Sequence, residues 1–237
     1  MPTPGSHLVV LAPMRPELSA VVRASRLTRS RSGGPFSHTG TIGRWSVGAG
    51  LVGMGPERAR AFTEQILEQG PVDHVMVVGI AGGLDPDLPV GAVMVPRSVR
   101  YYPDGAEHLA RPLGDRVARG TLMTTPSLLS DPSQWRPLAE DGVGALDMEA
   151  SGVAEACDVA GVPWSVYRGI SDRPDQRLVD QAVFGLSTPD GGAKLPAVAR
   201  YVVRDPRRIV TLARLGRDMQ RAARAAAEAA ASDIARS

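Results

Sequence analysis

The chain has 237 residues, 43% hydrophobic and 22% charged, enough apolar side chain for one large domain or two small ones. A formal net charge of +2 makes no electrostatic case for nucleic-acid binding, and a lone cysteine, Cys157, excludes an intramolecular disulfide framework and a cysteine zinc cluster. The opening MPTPGSHLVVLAPM lacks a secretory pattern and no run approaches the roughly 18 apolar residues of a membrane span, so a cytoplasmic protein is expected.

Short apolar runs alternate with helical patterns along the chain, the mark of βα units around a mostly parallel sheet covered on both faces. The first run is His7 to Leu11. Residues 24–43, rich in Arg, Ser and Gly, read as a mobile loop. A second run spans Arg44 to Leu51, and a helix is predicted from Pro56 to Gln69, with Ala59, Phe62 and Ile66 on one face and Pro56 in its first turn. Strands follow at His74 to Val78 and Gly91 to Val95. Gly144 to Leu146 leads into a helix over Met148 to Ala160, and Trp164 to Tyr167 forms the last strand. Leu186 to Pro196 reads as a turn-rich connection. A final helix is predicted from Asp205 to about Ala231, with Ile209, Leu212, Leu215 and Met219 along one side.

In such sheets ligands collect where strands end and loops begin. Ala12-Pro-Met-Arg-Pro-Glu17 follows the first strand, and Glu17 is either a general base or a favourable anion in the first turn of the next helix. Two glycine-rich segments, Val52 to Pro56 and Val78 to Gly83, read as turns that let backbone approach a ligand, or as tight strand-to-helix turns without one. Neither carries the dinucleotide or P-loop pattern. Asp147-Met-Glu149 opens a helix, and Arg168-Gly-Ile-Ser-Asp172 follows a strand, where an Arg and an Asp can be an ion pair or catalysts. Cys157 reads as a core residue. His7, His38, His74 and His108 show no metal-ligand spacing, so no metal is expected. Gathered together, Glu17, Glu149, Arg168 and Asp172 would suit N-glycosidic cleavage, which needs an acid at the leaving base, a positioned nucleophile and negative charge near an oxocarbenium-like sugar.

The order of these motifs resembles the purine nucleoside phosphorylase and methylthioadenosine nucleosidase superfamily along most of the chain. The carriers are Ala12 to Glu17, Gly53-Met-Gly55, Gly79-Ile-Ala-Gly-Gly-Leu84, Leu146-Asp-Met-Glu-Ala150 and Arg168 to Asp172. Asp175, Phe184-Gly-Leu186, Pro189-Asp-Gly191 and the tail motifs Asp205-Pro-Arg-Arg208 and Leu215-Gly-Arg-Asp218 are similar to the hopanoid-associated phosphorylases, a subgroup associated with removing adenine from adenosylhopane.

The resemblance implies a single three-layer α/β/α domain over residues 1–200, with a mixed, partly barrel-like sheet and residues 201–237 docked on it as a helix. It implies Asp172 as general acid at purine N7, and Glu17 at an attacking water with Arg168 nearby. Glu149 would hold the ribose hydroxyls and Met148 would pack on the sugar. Asp147, Gly53, Gly55, Ala81, Gly82, Leu128 and Ser171 complete the implied substrate-binding set. It also implies a homo-oligomer, most simply a dimer, and no cofactor, with phosphate the one candidate co-substrate.

Three departures bear on chemistry. Ile80 stands where the nucleosidases carry a small hydroxyl residue. Val77 stands where the hexameric phosphorylases place a phosphate-binding arginine, for which Arg15 or Arg44 could substitute. The segment Tyr101 to Leu129 is short, with Leu128 at the place of a purine-stacking aromatic; either the site is more open, as a bulky 5′ substituent would need, or Trp135 or Tyr102 fills in. The expected reaction is release of adenine from a 5′-modified adenosine. Alternatives are methylthioadenosine, adenosylhomocysteine or futalosine as substrate, or a silent nucleoside-binding protein of the same fold. The arginines of the final helix could rest it on an anionic membrane, or simply form the wet face of a docked helix.

Overall fold

The computed structural model describes residues 5–31, 33–103, 105–173 and 208–237, with isolated positions between 185 and 205. The expectations for Asp175, Phe184, Pro189 to Gly191 and most of the 186–196 connection fall outside the described residues.

Among the described residues eleven strands form one mixed sheet. Its centre is parallel: β1 (Ser6–Ala12) lies between β4 (Trp45–Leu51) and β5 (His74–Gly83), and β11 (Trp164–Asp172) pairs with the other side of β5. Beyond β4 the sheet ends in β3 (His38–Ile42) and the edge strand β2 (Thr28–Arg29), both antiparallel to their neighbours. β10 (Val143–Asp147) meets the tip of β5, and β9 (Thr121–Thr124), β7 (Ser98–Tyr101) and β8 (Glu107–Leu109) continue from it. The short β6 (Val93–Met94) pairs with β11.

Strand alternation divides the core into two faces. Leu8, Val10, Met76, Val78 and Tyr167 pack under α1 (Arg15–Ala24) and the terminal α5 (Arg208–Arg236). Val9, Leu11, Val75, Val77, Val166 and Ile170 pack under α2 (Pro56–Gln69) and α4 (Ala150–Ala160). The three-layer α/β/α expectation therefore holds. Another helix, α3 (Pro132–Glu140), starts at Asp131, whose carboxylate accepts the Ser133 N–H at 2.9 Å.

Two expectations are corrected. Residues 24–43 are not a loop throughout but contain β2 and β3; their Ser, Thr, Gly and Arg content reflects an exposed sheet edge, where one-sided burial leaves no apolar run. The strand at His74 does not stop at Val78 but runs through Gly83, so Gly79 to Gly83 are strand residues, not a turn.

The terminal helix is part of the core. Gly169 lies so close beneath it that an added Cβ would sit 2.0 Å from the Ala222 carbonyl oxygen. Ala222, Ala223, Ala226, Ala227, Ala230 and Ile234 are buried, so the apolar side of this half is occupied by the sheet and α1. Asp233, fully buried, accepts from Tyr167 Oη at 2.9 Å, Arg116 Nε at 2.6 Å and Arg236 Nη2 at 2.5 Å. Asp233→Ala strands a buried phenol and two guanidinium contacts, and is expected to lower stability by about 2–4 kcal/mol. Chemical denaturation would check this; an unchanged midpoint would mean the cluster is not holding the helix. Among the described residues no helix is long and apolar enough to cross a membrane.

Candidate active site

The site grows from a branch in the sheet. β5 pairs with β1 only as far as Val77 and takes up β10 at Gly82 and Gly83. Between these points its backbone on that side lacks a strand partner, and buried amides need acceptors. Glu17 supplies one. Carried in the first turn of α1, its Oε1 accepts the Ile80 N–H at 2.7 Å while Oε2 accepts the Met14 N–H at 2.7 Å. The first-turn position predicted from sequence is thus also a position in the split of the sheet. Burial raises the Glu17 carboxyl to about 7, although Arg168 and the two amides pull the other way.

Arg168, on β11, is fully buried. Its Nε donates to Asp147 Oδ2 at 3.1 Å, and Nη2 bonds both Asp147 Oδ2 and, at 3.3 Å, Glu149 Oε2. Burial opposes its charge, but Asp147, Glu149 and Glu17 together outweigh it and keep the guanidinium protonated. Nη1 is buried and has no hydrogen-bond partner among the described residues. A Cβ on Gly79 would lie 2.3 Å from this Nη1 and 2.5 Å from Glu17 Oε1, so the glycine is what lets the two groups face each other across β5.

Glu149 sits at the start of α4. Its Oε1 accepts the Gly55 N–H at 3.2 Å, and burial, with Asp147 and Glu17 nearby, raises its carboxyl despite Arg168. The Gly55 contact depends on close helix packing: Gly152 of α4 has no room for a Cβ, which would meet the Pro56 carbonyl oxygen at 2.0 Å. Gly53 and Gly55 have φ of 80° and 106°, values that favour glycine, so the turn expected there is present.

Asp172 is aimed by a bulge. Ile170 pairs with Ala81 and Asp172 with Gly82, so Ser171 is the extra residue. Ser171 Oγ lies 2.5 Å from Asp172 Oδ1 and 3.3 Å from the Ala81 carbonyl oxygen. Burial raises the Asp172 carboxyl and the Ser171 hydrogen bond only partly restrains it. Gly82 leaves space before Asp172, whose Oδ2 is 3.8 Å from the place of an added Cβ. Arg173 Nη1 donates to the Asp85 carbonyl at 2.7 Å, fastening the end of β11 to the segment after β5.

The structure thus brings Glu17, Arg168, Asp147 and Glu149 into one buried cluster, with Ala81, Gly82, Ser171 and Asp172 further along the same two strands. The Asp147 carboxylate accepts from Thr124 Oγ1 at 2.6 Å, the Ala150 N–H at 3.0 Å and Arg168, so it holds the guanidinium in place. Thr124, whose Oγ1 also accepts the Ser151 N–H at 2.9 Å, went unnoticed in the sequence because a threonine ending a strand carries no local signal. Met148 is half-buried beside Glu149, and Leu128 is half-buried on the segment leaving β9. Tyr102 and Trp135 pack with Leu84, Met123 and Val143. Val77 is buried among apolar side chains. Arg44 bonds the Ser237 carbonyl oxygen at the end of β4 away from the site, so it does not replace the missing arginine. Cys157 is buried in α4, where burial raises its thiol.

The fold is an α/β domain that gathers buried carboxyl groups and one guanidinium at the ends of its parallel strands. The phosphorylase superfamily model matches residues 7–108 and 103–204, and the chain belongs to that family. It is 30% identical over 178 residues to the 5′-methylthioadenosine/S-adenosylhomocysteine nucleosidase of Chromohalobacter salexigens, covering 62% of this chain and 75% of that one. A mutant of the Helicobacter pylori methylthioadenosine nucleosidase with 5′-methylthioadenosine in its active site shares the fold at TM-score 0.72 and 16% identity, over 97% of this chain and 98% of that one. The futalosine hydrolase of Helicobacter pylori does so at TM-score 0.71 and 15% identity, over 97% of each chain.

Proposed function

We propose that the chain hydrolyses the N-glycosidic bond of a purine nucleoside, releasing adenine from a 5′-modified adenosine, with adenosylhopane in hopanoid side-chain formation as the preferred substrate. The observation that carries the reading is the placement of Glu17 with Arg168 Nη1 over Gly79, and of Asp172 at Gly82. Three residue steps along β5 separate these points, roughly 10 Å of backbone. That span accommodates a hydrogen bond to purine N7, the ribose C1′ and an in-line oxygen nucleophile.

In this mechanism protonated Asp172 donates to N7, and the C1′–N9 bond breaks with its electron pair going to the base. Water held by Arg168 Nη1 and Glu17 attacks C1′, and Glu17 takes its proton. Glu149 accepts from the ribose hydroxyls, with Met148 against the sugar. Three buried carboxyl groups face a single guanidinium, and those of them that are ionised stabilise the cationic ribosyl transition state.

Ionised Glu17 beside Arg168 Nη1 would repel a phosphate dianion, and this favours water over phosphorolysis. Adenine release measured by chromatography with and without phosphate is expected to be equal. Release only with phosphate would overturn the hydrolytic step, and none from any 5′-modified adenosine would overturn the whole reading. The short Tyr101 to Leu129 segment and the absence of an aromatic at Leu128 support a bulky 5′ group. The nucleosidase relatives support methylthioadenosine or adenosylhomocysteine instead, and the same assay run on each nucleoside separates them. Assembly as a homo-oligomer in the cytoplasm is part of this proposal.

A further inference from the structure

A one-sided run of charge lies outside this site. No Asp or Glu occurs between Glu17 and Glu57, a stretch holding Arg23, Arg26, Arg29, Arg31 and Arg44. Arg44 is engaged with Ser237. The other four are exposed, and among the described residues none has a carboxylate partner. They follow one another from the end of α1 across the edge strand β2. There Thr28, Arg29, Ser30, Arg31 and Thr39 line an open groove of about 790 Å³, a lining of hydroxyl and guanidinium donors suited to phosphate oxygens.

Two features argue against mere edge protection, for which a charge on the strand is enough. Arg26 has φ 52°, the left-handed position just past α1 where the Leu27 N–H returns to the Val22 carbonyl at 3.0 Å. Glycine usually fills that position because a Cβ is strained there, yet the chain keeps an arginine. The placement is also specific. Arg29 pairs with His38, and His38 with Ala49, while the Ser30 N–H reaches the Ser37 carbonyl at 2.9 Å. Arg31 therefore leaves the sheet at the level of the Val52 to Gly55 turn, on the rim that carries Glu17. Three strand spacings, roughly 14 Å, separate β2 from β1.

We propose that this arginine-bearing edge docks the protein on an anionic lipid bilayer, with the site's rim turned toward the membrane. The surface offers donors for a plane of lipid phosphates. It presents no exposed aromatic side chain on which nucleic-acid bases could stack. In the terminal helix Ala222, Ala223, Ala226, Ala227, Ala230 and Ile234 are buried in the core, so that half does not compete for this role. The proposal rests on the nucleoside reading in one respect: it gives a lipid-linked nucleoside direct access to the site.

The test is co-sedimentation with vesicles of phosphatidylcholine alone, or with roughly one-third phosphatidylglycerol, in moderate salt. The protein is expected to pellet with the anionic vesicles only. Combined Arg23→Gln, Arg26→Gln, Arg29→Gln and Arg31→Gln should weaken the apparent affinity at least about tenfold, whereas Arg214→Gln with Arg217→Gln and Arg224→Gln on α5 should not. Failure of the wild type to pellet, equal pelleting by the hairpin variant, or binding of an RNA duplex as tight as that of vesicles at the same salt would each overturn the proposal. Adenine release from soluble 5′-methylthioadenosine, run in parallel, verifies that the variants fold. If pelleting follows the hairpin arginines while no protein releases adenine from any nucleoside, the docking surface stands and the nucleoside reading falls.

Discussion

Asp172→Asn is expected to cut the rate of adenine release by about 10²–10⁴-fold while leaving KM within a few fold. Asparagine keeps the volume, the bulge and a partner for Ser171 Oγ, which lies 2.5 Å from the native carboxylate, but it has no proton of useful acidity to give N7. The native carboxyl does, because burial raises it and so retains the proton at a pH where an exposed aspartate has lost it. The split between kcat and KM matters. A merely structural Asp172 would lose both together with thermal stability, and a silent nucleoside-binding protein would show no rate to lose. A variant that turns over at the native rate would remove Asp172 from the chemistry and leave N7 to another donor.

What could be read from the sequence followed burial. β1, β5 and β11 are covered on both faces, so their cores, HLVVL, HVMVV and WSVY, are uninterrupted apolar runs whose length alone marks them. α2 was legible to its ends because Pro56 and Gly70 bracket it. Residues 24–43 were not, since an edge hairpin with one wet side and many glycines has the composition of a loop.

The glycines show the same limit at the site. Gly79 looked like a turn residue and is a strand residue. Its reason for being glycine lies in Glu17 and Arg168, which are far apart in the chain and meet only over its Cα. The acids were visible as types but not as roles. Asp147 and Glu149 stand two apart, yet Asp147 turns inward to Thr124 and Arg168 while Glu149 reaches Gly55. That difference depends on where β10 ends and α4 begins, which no local pattern encodes.

Glu17→Gln should separate activity from stability. Loss of the base is expected to lower kcat by about 10²–10³-fold. In the wild type, kcat/KM should rise with pH through about 7 as Glu17 ionises; the variant should lack the rising limb.

Stability moves the opposite way. The folded carboxyl, at about 7 against an ordinary 4.5, binds its proton more tightly than the unfolded chain does. Its contribution is therefore fully present below pH 4.5 and is lost as pH rises through 7, a change of about 3 kcal/mol. Denaturation series across that interval should show the wild type falling more steeply than the variant. The slope is the readout because glutamine offers one carbonyl oxygen where Glu17 accepts two amides, from Met14 and Ile80, so the variant's absolute stability includes a donor left without an acceptor. Parallel slopes would mean that Glu17 titrates like an exposed carboxylate. The electrostatic strain that readies it to take a proton from water would then be absent, and the hydrolytic step would need another base.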